Sequence, residues 1–163
     1  MEFMPDDWSL TAEEQRAWRR YVEMQHGLER HLAQHMQREF GLSESDFEIL
    51  VNLSESSSGR MRAVELADAT QWEKSRLSHH LSRMEKRGLI AREPGDNRYP
   101  EVVLTDAGWN AIKGCAPANA ARVRQLFVDV LGADRLATLS EIAEDVLAAI
   151  DEHQKSDSAV ATK

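Results

Sequence analysis

A single cysteine, Cys115, in 163 residues excludes an internal disulfide framework. No stretch approaches the roughly 18 uncharged apolar residues that a membrane span requires, so no membrane partner is expected. The opening residues Met1-Glu-Phe-Met-Pro-Asp-Asp7 hold no basic segment followed by an apolar run. No signal peptide is therefore expected, and the cytoplasm is the expected compartment. A Gly-rich phosphate loop and a Gly-x-Ser-x-Gly nucleophile elbow are both missing. The paired acids Asp6-Asp7, Glu13-Glu14, Glu144-Asp145 and Asp151-Glu152 fall at helix ends or in tails. Catalysis is not supported, and neither a cofactor nor a metal is expected. What is present is 42% hydrophobic and 29% charged, an ordinary soluble composition. The length suits one domain, or one domain with helical extensions, around a sizeable core.

The net charge of −8 argues at first against a nucleic-acid partner, because phosphate neutralisation needs Lys and Arg. The distribution reverses that argument. Between Arg60 and Arg98 nine basic residues stand against six acidic ones, a net of +3, which leaves −11 on the flanks. A basic middle on an acidic scaffold suits a small DNA-reading module.

Thr11 with Glu14 reads as a capping box. The helix it opens carries Trp18, Tyr21, Val22, Leu28, Leu32 and Met36 at helical spacing, up to Gly41. Ser43 or Ser45 caps a second helix, with Phe47, Leu50, Val51 and Ser54 on one face. Residues 54–59 read as a loop, and a short helix spans about Ala63 to Ala69. Thr70-Gln-Trp72 links it to a helix from about Glu73 to Arg87, whose inner stripe is Leu77, Leu81 and Met84. Leu89–Glu93 and Val102–Leu104 read as the strands of one hairpin, with a turn at Pro94–Asn97. A long helix follows Thr105, with a kink or break expected at Gly114 and Pro117. A helical run from Val123 to Leu131 is stopped by Gly132. The last helix, about Asp134 to His153, has an apolar face of Leu136, Leu139, Ile142, Val146, Leu147 and Ile150. Residues 155–163 read as a frayed tail. The fold class is mainly α.

The two helices at 63–69 and 73–87 have helix-turn-helix proportions, and in that motif the second helix enters the major groove. Lys74, Ser75, Arg76, Ser78, His79 and Arg83 lie off its inner stripe and have the chemistry of base-edge and phosphate contacts. Arg62 precedes the pair and joins these candidates. The bland alternative is a solvated amphipathic helix. A hairpin directly after the unit weighs against it, because a turn bearing Arg98 is a wing able to reach the minor groove. Asp96 either holds Arg98 in a bidentate pair or forms an ordinary surface ion pair with it.

The residues Glu65-Leu-Ala67, Ser75-Arg-Leu-Ser78 and Leu81-Ser-Arg-Met-Glu-Lys-Arg-Gly-Leu-Ile90 together resemble the MarR (multiple antibiotic resistance regulator) family. The pattern Asp96-x-Arg98-x3-Val102-x-Leu104-Thr105-x2-Gly108 fits the family's wing and following helix. The likeness extends over about residues 11 to 153. It implies a winged helix-turn-helix with flanking long helices forming a dimerisation domain. On that reading residues 1–10 are an extension, 63–87 the helix-turn-helix and 89–104 the wing. Helices at 11–40 and 106–153 build the dimer, and 154–163 is a flexible tail. The resemblance also implies a homodimer on a pseudo-palindromic operator of double-stranded DNA, repressing until a small, often phenolic, effector binds. The two winged units of such a dimer sit about one helical turn, ~34 Å, apart. Trp72-Glu73 departs from the small polar residues often found at the family's helix entrance, and His79-His80 is also unusual, so the operator sequence is not inherited. The rival reading is a helical dimer whose winged unit docks a protein.

Several further residues are candidates only. The resemblance puts an effector pocket between the dimer helices and the winged unit, with Trp18, His35, Phe47, Leu50 and Arg60 as wall residues or simply core. His31 and His35, one helical turn apart with Glu39 and His26 nearby, have a spacing that suits Zn²⁺, but further ligands are not identified. Cys115 is either a redox switch or an incidental thiol. The family's peroxide sensors place theirs near the N-terminus, and no second cysteine resolves this one.

Overall fold

Two reciprocal capping boxes fix where the first two helices begin. In the computed structural model, which describes residues 10–56, 58–95 and 99–161, the Thr11 backbone N–H donates to Glu14 Oε2 at 2.6 Å. Glu14 N–H donates in turn to the Thr11 hydroxyl at 3.3 Å. Helix α1 (Ala12–Phe40) runs from there to Gly41, which closes it in the left-handed region at φ 65°. Ser43, not Ser45, opens α2 (Glu44–Glu55), with Asp46 completing the box. The chain divides into two compact units, residues 1–120 and residues 121–163.

In the first unit β1 (Arg60–Arg62), α3 (Ala63–Thr70), α4 (Lys74–Lys86), β2 (Ile90–Pro94), β3 (Pro100–Leu104) and α5 (Asp106–Val123) follow α2, and α5 crosses the unit boundary. The strands form one antiparallel sheet in the order β1-β3-β2, with Met61 opposite Val102 and Ile90 opposite Leu104. The sequence pattern gave only the β2–β3 hairpin. Arg-Met-Arg is too short and lacks the β-branched alternation that marks a strand, so β1 owes its pairing to the free edge of β3.

Ile49, Leu50 and Leu53 of α2, Leu66 of α3, Leu77, Leu81 and Met84 of α4, Ile90 and Val102 of the sheet, and Ile112 of α5 share one core. The buried face of α2 is Asp46, Ile49, Leu50 and Leu53, displaced from the expected face of Phe47, Leu50, Val51 and Ser54. Apolar residues at 47, 49, 50, 51 and 53 surround that helix, so periodicity alone does not choose a face. Thr105 caps α5 by accepting from the Gly108 N–H at 3.1 Å. A Cβ on Gly108 would overlap the Leu89 carbonyl oxygen, so glycine there lets α5 lie directly against the start of the wing.

Helix α5 runs through Gly114 and Pro117 without the expected break. Proline removes one hydrogen bond at a cost of ~3 kcal/mol, and the burial of Ile112 and Cys115 just before it holds the helix in place. Irregularity comes later, in a π-helical segment at Arg124–Val128. In the second unit α6 (Asp129–Ala161) is interrupted at Gly132 (φ 72°, ψ 169°), where the sequence places a stop. Beyond His153 the helix continues to Ala161 rather than fraying at 154. No Gly or Pro follows Gly132 to end it, and extending an existing helix is far easier than starting one. No helix among the described residues is long and apolar enough to cross a membrane.

Candidate nucleic-acid interface

The amphipathic pattern of α4 sets the site. Leu77, His80, Leu81 and Met84 are buried, and they fix the helix against α2, α3 and the wing. Lys74, Ser75, Arg76, Ser78, His79 and Arg83 are then all exposed. The structure therefore brings these six sequence candidates to the outer surface of one 13-residue helix. The link into α4 is tight because Gln71 adopts a left-handed backbone at φ 56°, the one positive φ outside glycine among the described residues. The helix entrance has no side-chain cap, since Glu73 makes no capping hydrogen bond. Its first-turn N–H groups stay available to an anion.

The basic side chains differ in how they are held. The Arg76 guanidinium lies 4.1 Å from the centroid of the Trp72 ring, a cation–π contact. Arg83 donates to His80 Nδ1 at 2.9 Å. Arg62 sits ahead of α3 and is turned toward Glu65, whose carboxylate accepts from its backbone N–H and its Nε–H, each at 3.0 Å. That pairing lowers the Glu65 carboxyl and raises the Arg62 guanidinium from their ordinary values. Asp96 and Arg98, the wing-tip candidates, lie outside the described residues.

Sequence reasoning missed the residues behind this surface. His80 Nε2 lies 3.0 Å from Asp46 Oδ1. Asp46 Oδ2 accepts from Arg87 at 2.7 Å and from the Ser43 backbone N–H at 2.9 Å, and Arg87 also reaches the Gly41 carbonyl at 2.9 Å. Burial pushes the Asp46 carboxyl up, but Arg87 and Ser43 together bring it below its ordinary value. Burial pushes the His80 imidazole down, and the attraction of Asp46 does not reverse that. One signal was available: Asp46 stands three residues after Ser43, the spacing of a capping box.

Arg60, a pocket candidate, bridges the base of the wing. Its guanidinium meets Glu93 of β2 and Glu101 of β3, each at 3.2 Å. Arg92 likewise ties β2 to α4, reaching the Ser82 hydroxyl at 3.3 Å. The other pocket candidates sit in varied surroundings. Leu50 is fully buried, Phe47 packs on the core, His35 meets the edge of Phe40, and Trp18 lies exposed beside Tyr21. A cavity of about 260 Å³ opens between α3, α4 and the wing, lined by Val64, Lys74, Leu77, Ser78, Arg92 and Val102 among others. His31 is exposed on α1, and no three His, Cys, Asp or Glu among the described residues cluster as metal ligands. Cys115 is a core side chain whose thiol is pushed up by burial, the reverse of what a reactive thiolate needs.

A three-stranded sheet whose β2–β3 hairpin forms a wing behind a helix-turn-helix defines a winged-helix regulator. A family model for the sugar-specific transcriptional regulator TrmB matches residues 36–105, the winged region. Among solved structures, AbsC, a MarR family transcriptional regulator from Streptomyces coelicolor, is 41% identical. It covers 88% of this chain and 97% of its own, with a TM-score of 0.82. Sco3205, a MarR family transcriptional regulator from the same organism in complex with DNA, is 39% identical over 86% of this chain and 93% of its own, with a TM-score of 0.80. An organohalide-sensing transcriptional regulator, RdhR-CbdbA1625 in its 2,4-dichlorophenol-bound form, shares the fold at 19% identity and a TM-score of 0.73, over 90% of this chain and 86% of its own. No curated protein sequence matches. The chain belongs to the MarR family of transcriptional regulators, as its motifs suggested.

Proposed function

We propose that this regulator binds a pseudo-palindromic operator in double-stranded DNA as a homodimer, represses transcription, and releases the operator when a small aromatic effector binds. The observation that carries the reading is the outer surface of α4. Lys74, Arg76 and Arg83 are exposed there with Ser75, Ser78 and His79 between them, and the helix entrance is uncapped. Such a face reads base edges and neutralises phosphates at once. A 39% identical relative solved in complex with DNA supports this use. The homodimer draws support from apolar side chains left exposed on α1 (Trp18, Tyr21, Met24) and on α6 (Ile142, Val146, Leu147, Ile150). The effector draws support from the dichlorophenol-bound regulator of the same fold. Its proposed wall residues are Trp18, His35, Phe47, Leu50 and Arg60, and because Leu50 has no exposed surface, access to it requires the core to open.

Selection of random duplexes on the purified protein tests the reading. The expected result is an inverted repeat with half-sites about one helical turn apart and affinity that falls steeply with salt. A folded dimer that enriches no sequence at low salt overturns it.

A further inference from the structure

One of the arginines on the outer surface of α4, Arg83, is held by a buried histidine of the same helix. Arginine has no acceptor and is always protonated. His80 Nδ1, 2.9 Å from the Arg83 guanidinium, must therefore accept that hydrogen bond and carry no proton. The neutral ring then has its proton on Nε2, which faces the Asp46 carboxylate at 3.0 Å and donates to it. The side chain of Asp46 is 3% exposed, and its second oxygen is taken by Arg87 and the Ser43 N–H. Asp46 is thus anchored at the start of α2 and has one free direction, toward His80. The His80 ring also meets Trp72 edge to face, with centroids 5.5 Å apart, and Arg76 lies on that indole. Among the described residues no buried side-chain polar atom is left without a partner.

We infer that His80, oriented by Asp46, is a positioning residue for DNA recognition: its Nδ1 holds the Arg83 guanidinium. The inference deepens the proposed DNA-binding reading and rests on it. Arg83 gives one of its donors to His80 and keeps the others for a phosphate or a guanine edge. An arginine already fixed loses less side-chain freedom on binding, a saving of about 0.5–1.5 kcal/mol for each side chain ordered in advance. At its upper end that is about tenfold in affinity.

Two conservative replacements separate the two hydrogen bonds. In His80→Gln the side-chain amide reaches the position of Nε2 and keeps a donor for Asp46, but the acceptor for Arg83 is lost. In His80→Asn the side-chain oxygen lies near the position of Nδ1, so Arg83 keeps its acceptor and Asp46 loses its donor. The expected result is that His80→Gln melts close to the wild type yet binds the selected duplex about tenfold more weakly, whereas His80→Asn loses stability and keeps most of its affinity. In an Arg83→Ala background the His80→Gln loss should largely vanish, because the residue it acts through is gone. A His80→Gln loss that adds in full to that of Arg83→Ala, equal affinities for the Gln and Asn variants, or an Arg83→Ala protein that binds like the wild type each overturns the inference while DNA binding stands. Wild-type protein that selects no duplex overturns the DNA-binding reading and this inference with it. A readout independent of mutant folding is the long-range ¹H–¹⁵N spectrum of the wild-type imidazoles near pH 7. It should show His80 protonated at Nε2 alone, and a proton on Nδ1 overturns the inference.

Discussion

The winged region and the helices that flank it use similar apolar residues to opposite ends. Across α2, α3 and α4 the side chains of Ile49, Leu50, Leu53, Leu66 and Met84 have no exposed surface, and the buried Asp46 and His80 pair with each other. Along α1 and α6, Trp18 is 59% exposed, Leu147 61% and Val146 54%. Burying a side chain of that size is worth roughly 1.5–3 kcal/mol. The winged region collects this within one chain. The outer helices present the same kind of surface without collecting it, and helices this long are not stable by propensity alone. The difference separates a part whose apolar surface is covered within the chain from parts whose apolar surface is left exposed.

The sharpest way to break the comparison is to make the outer surface polar and leave the inner one untouched. Val146→Asp combined with Ile150→Asp on α6 should convert the proposed dimer to a monomer in sedimentation while the near-ultraviolet signal of Trp72 and Trp109 persists. Operator affinity should fall by about 10²-fold or more, because the two half-sites no longer bind as a linked pair. A variant that stays dimeric places the dimer contact elsewhere. Leu50→Ala attacks the other side. At a fully buried position it should lower the unfolding free energy by about 2–5 kcal/mol, measured by urea denaturation. A loss below 1 kcal/mol would show that this core is looser than its burial implies. Arg76→Ala comes next, at about 1–3 kcal/mol in operator affinity, with little change in melting because an exposed cation–π contact contributes only ~0.5–1 kcal/mol. A change in melting larger than the change in affinity would make Arg76 a structural residue.

The same comparison explains what the sequence made legible. Helix ends marked by local chemistry read correctly: the Thr11–Glu14 box, Gly41, Gly132, and the Leu77, Leu81 and Met84 stripe that leaves six candidates outward. These signals lie within a few residues of the feature they specify. Strand β1 did not read, because Arg60–Arg62 becomes a strand only through β3, some 40 residues on. The link between Asp46 and His80 spans 34 residues and crosses from α2 to α4, so no periodicity announces it. The ion pairs of Arg60 did not read for the same reason, its partners Glu93 and Glu101 being distant in sequence. Pro117 misled in the other direction. Local chemistry argued for a break, and burial of the preceding turn overrode it.

The smallest expected effect is one of pH, and it tests whether the winged region's self-sufficiency extends to its charges. His80 faces Asp46 from α2, Arg83 from α4 and Arg87 from the C-terminal cap of α4, with the Trp72 indole beside it. Burial lowers its affinity for a proton, the charges of Arg83 and Arg87 act in the same direction, and Asp46 opposes them without prevailing. The folded chain therefore protonates His80 less readily than the unfolded chain, whose histidine keeps the ordinary value near 6.5. Between that value and the depressed one the unfolded state holds more protons, so stability rises with pH there. It should be constant above about 6.5, fall as the solution is acidified below it, and stop falling once folded His80 is itself protonated. Asp46 is depressed relative to 3.8, so the stability it contributes is fully present above that value and is lost only at lower pH, as its folded carboxyl is protonated. The interval from pH 7 to pH 5 thus isolates the histidine. Urea midpoints over that interval should decline for the wild type and decline less for His80→Gln, which has no titrating group at this position. Equal slopes for the two proteins would assign the acid sensitivity to groups other than His80, and the winged region would then be indifferent to the charge of its buried imidazole.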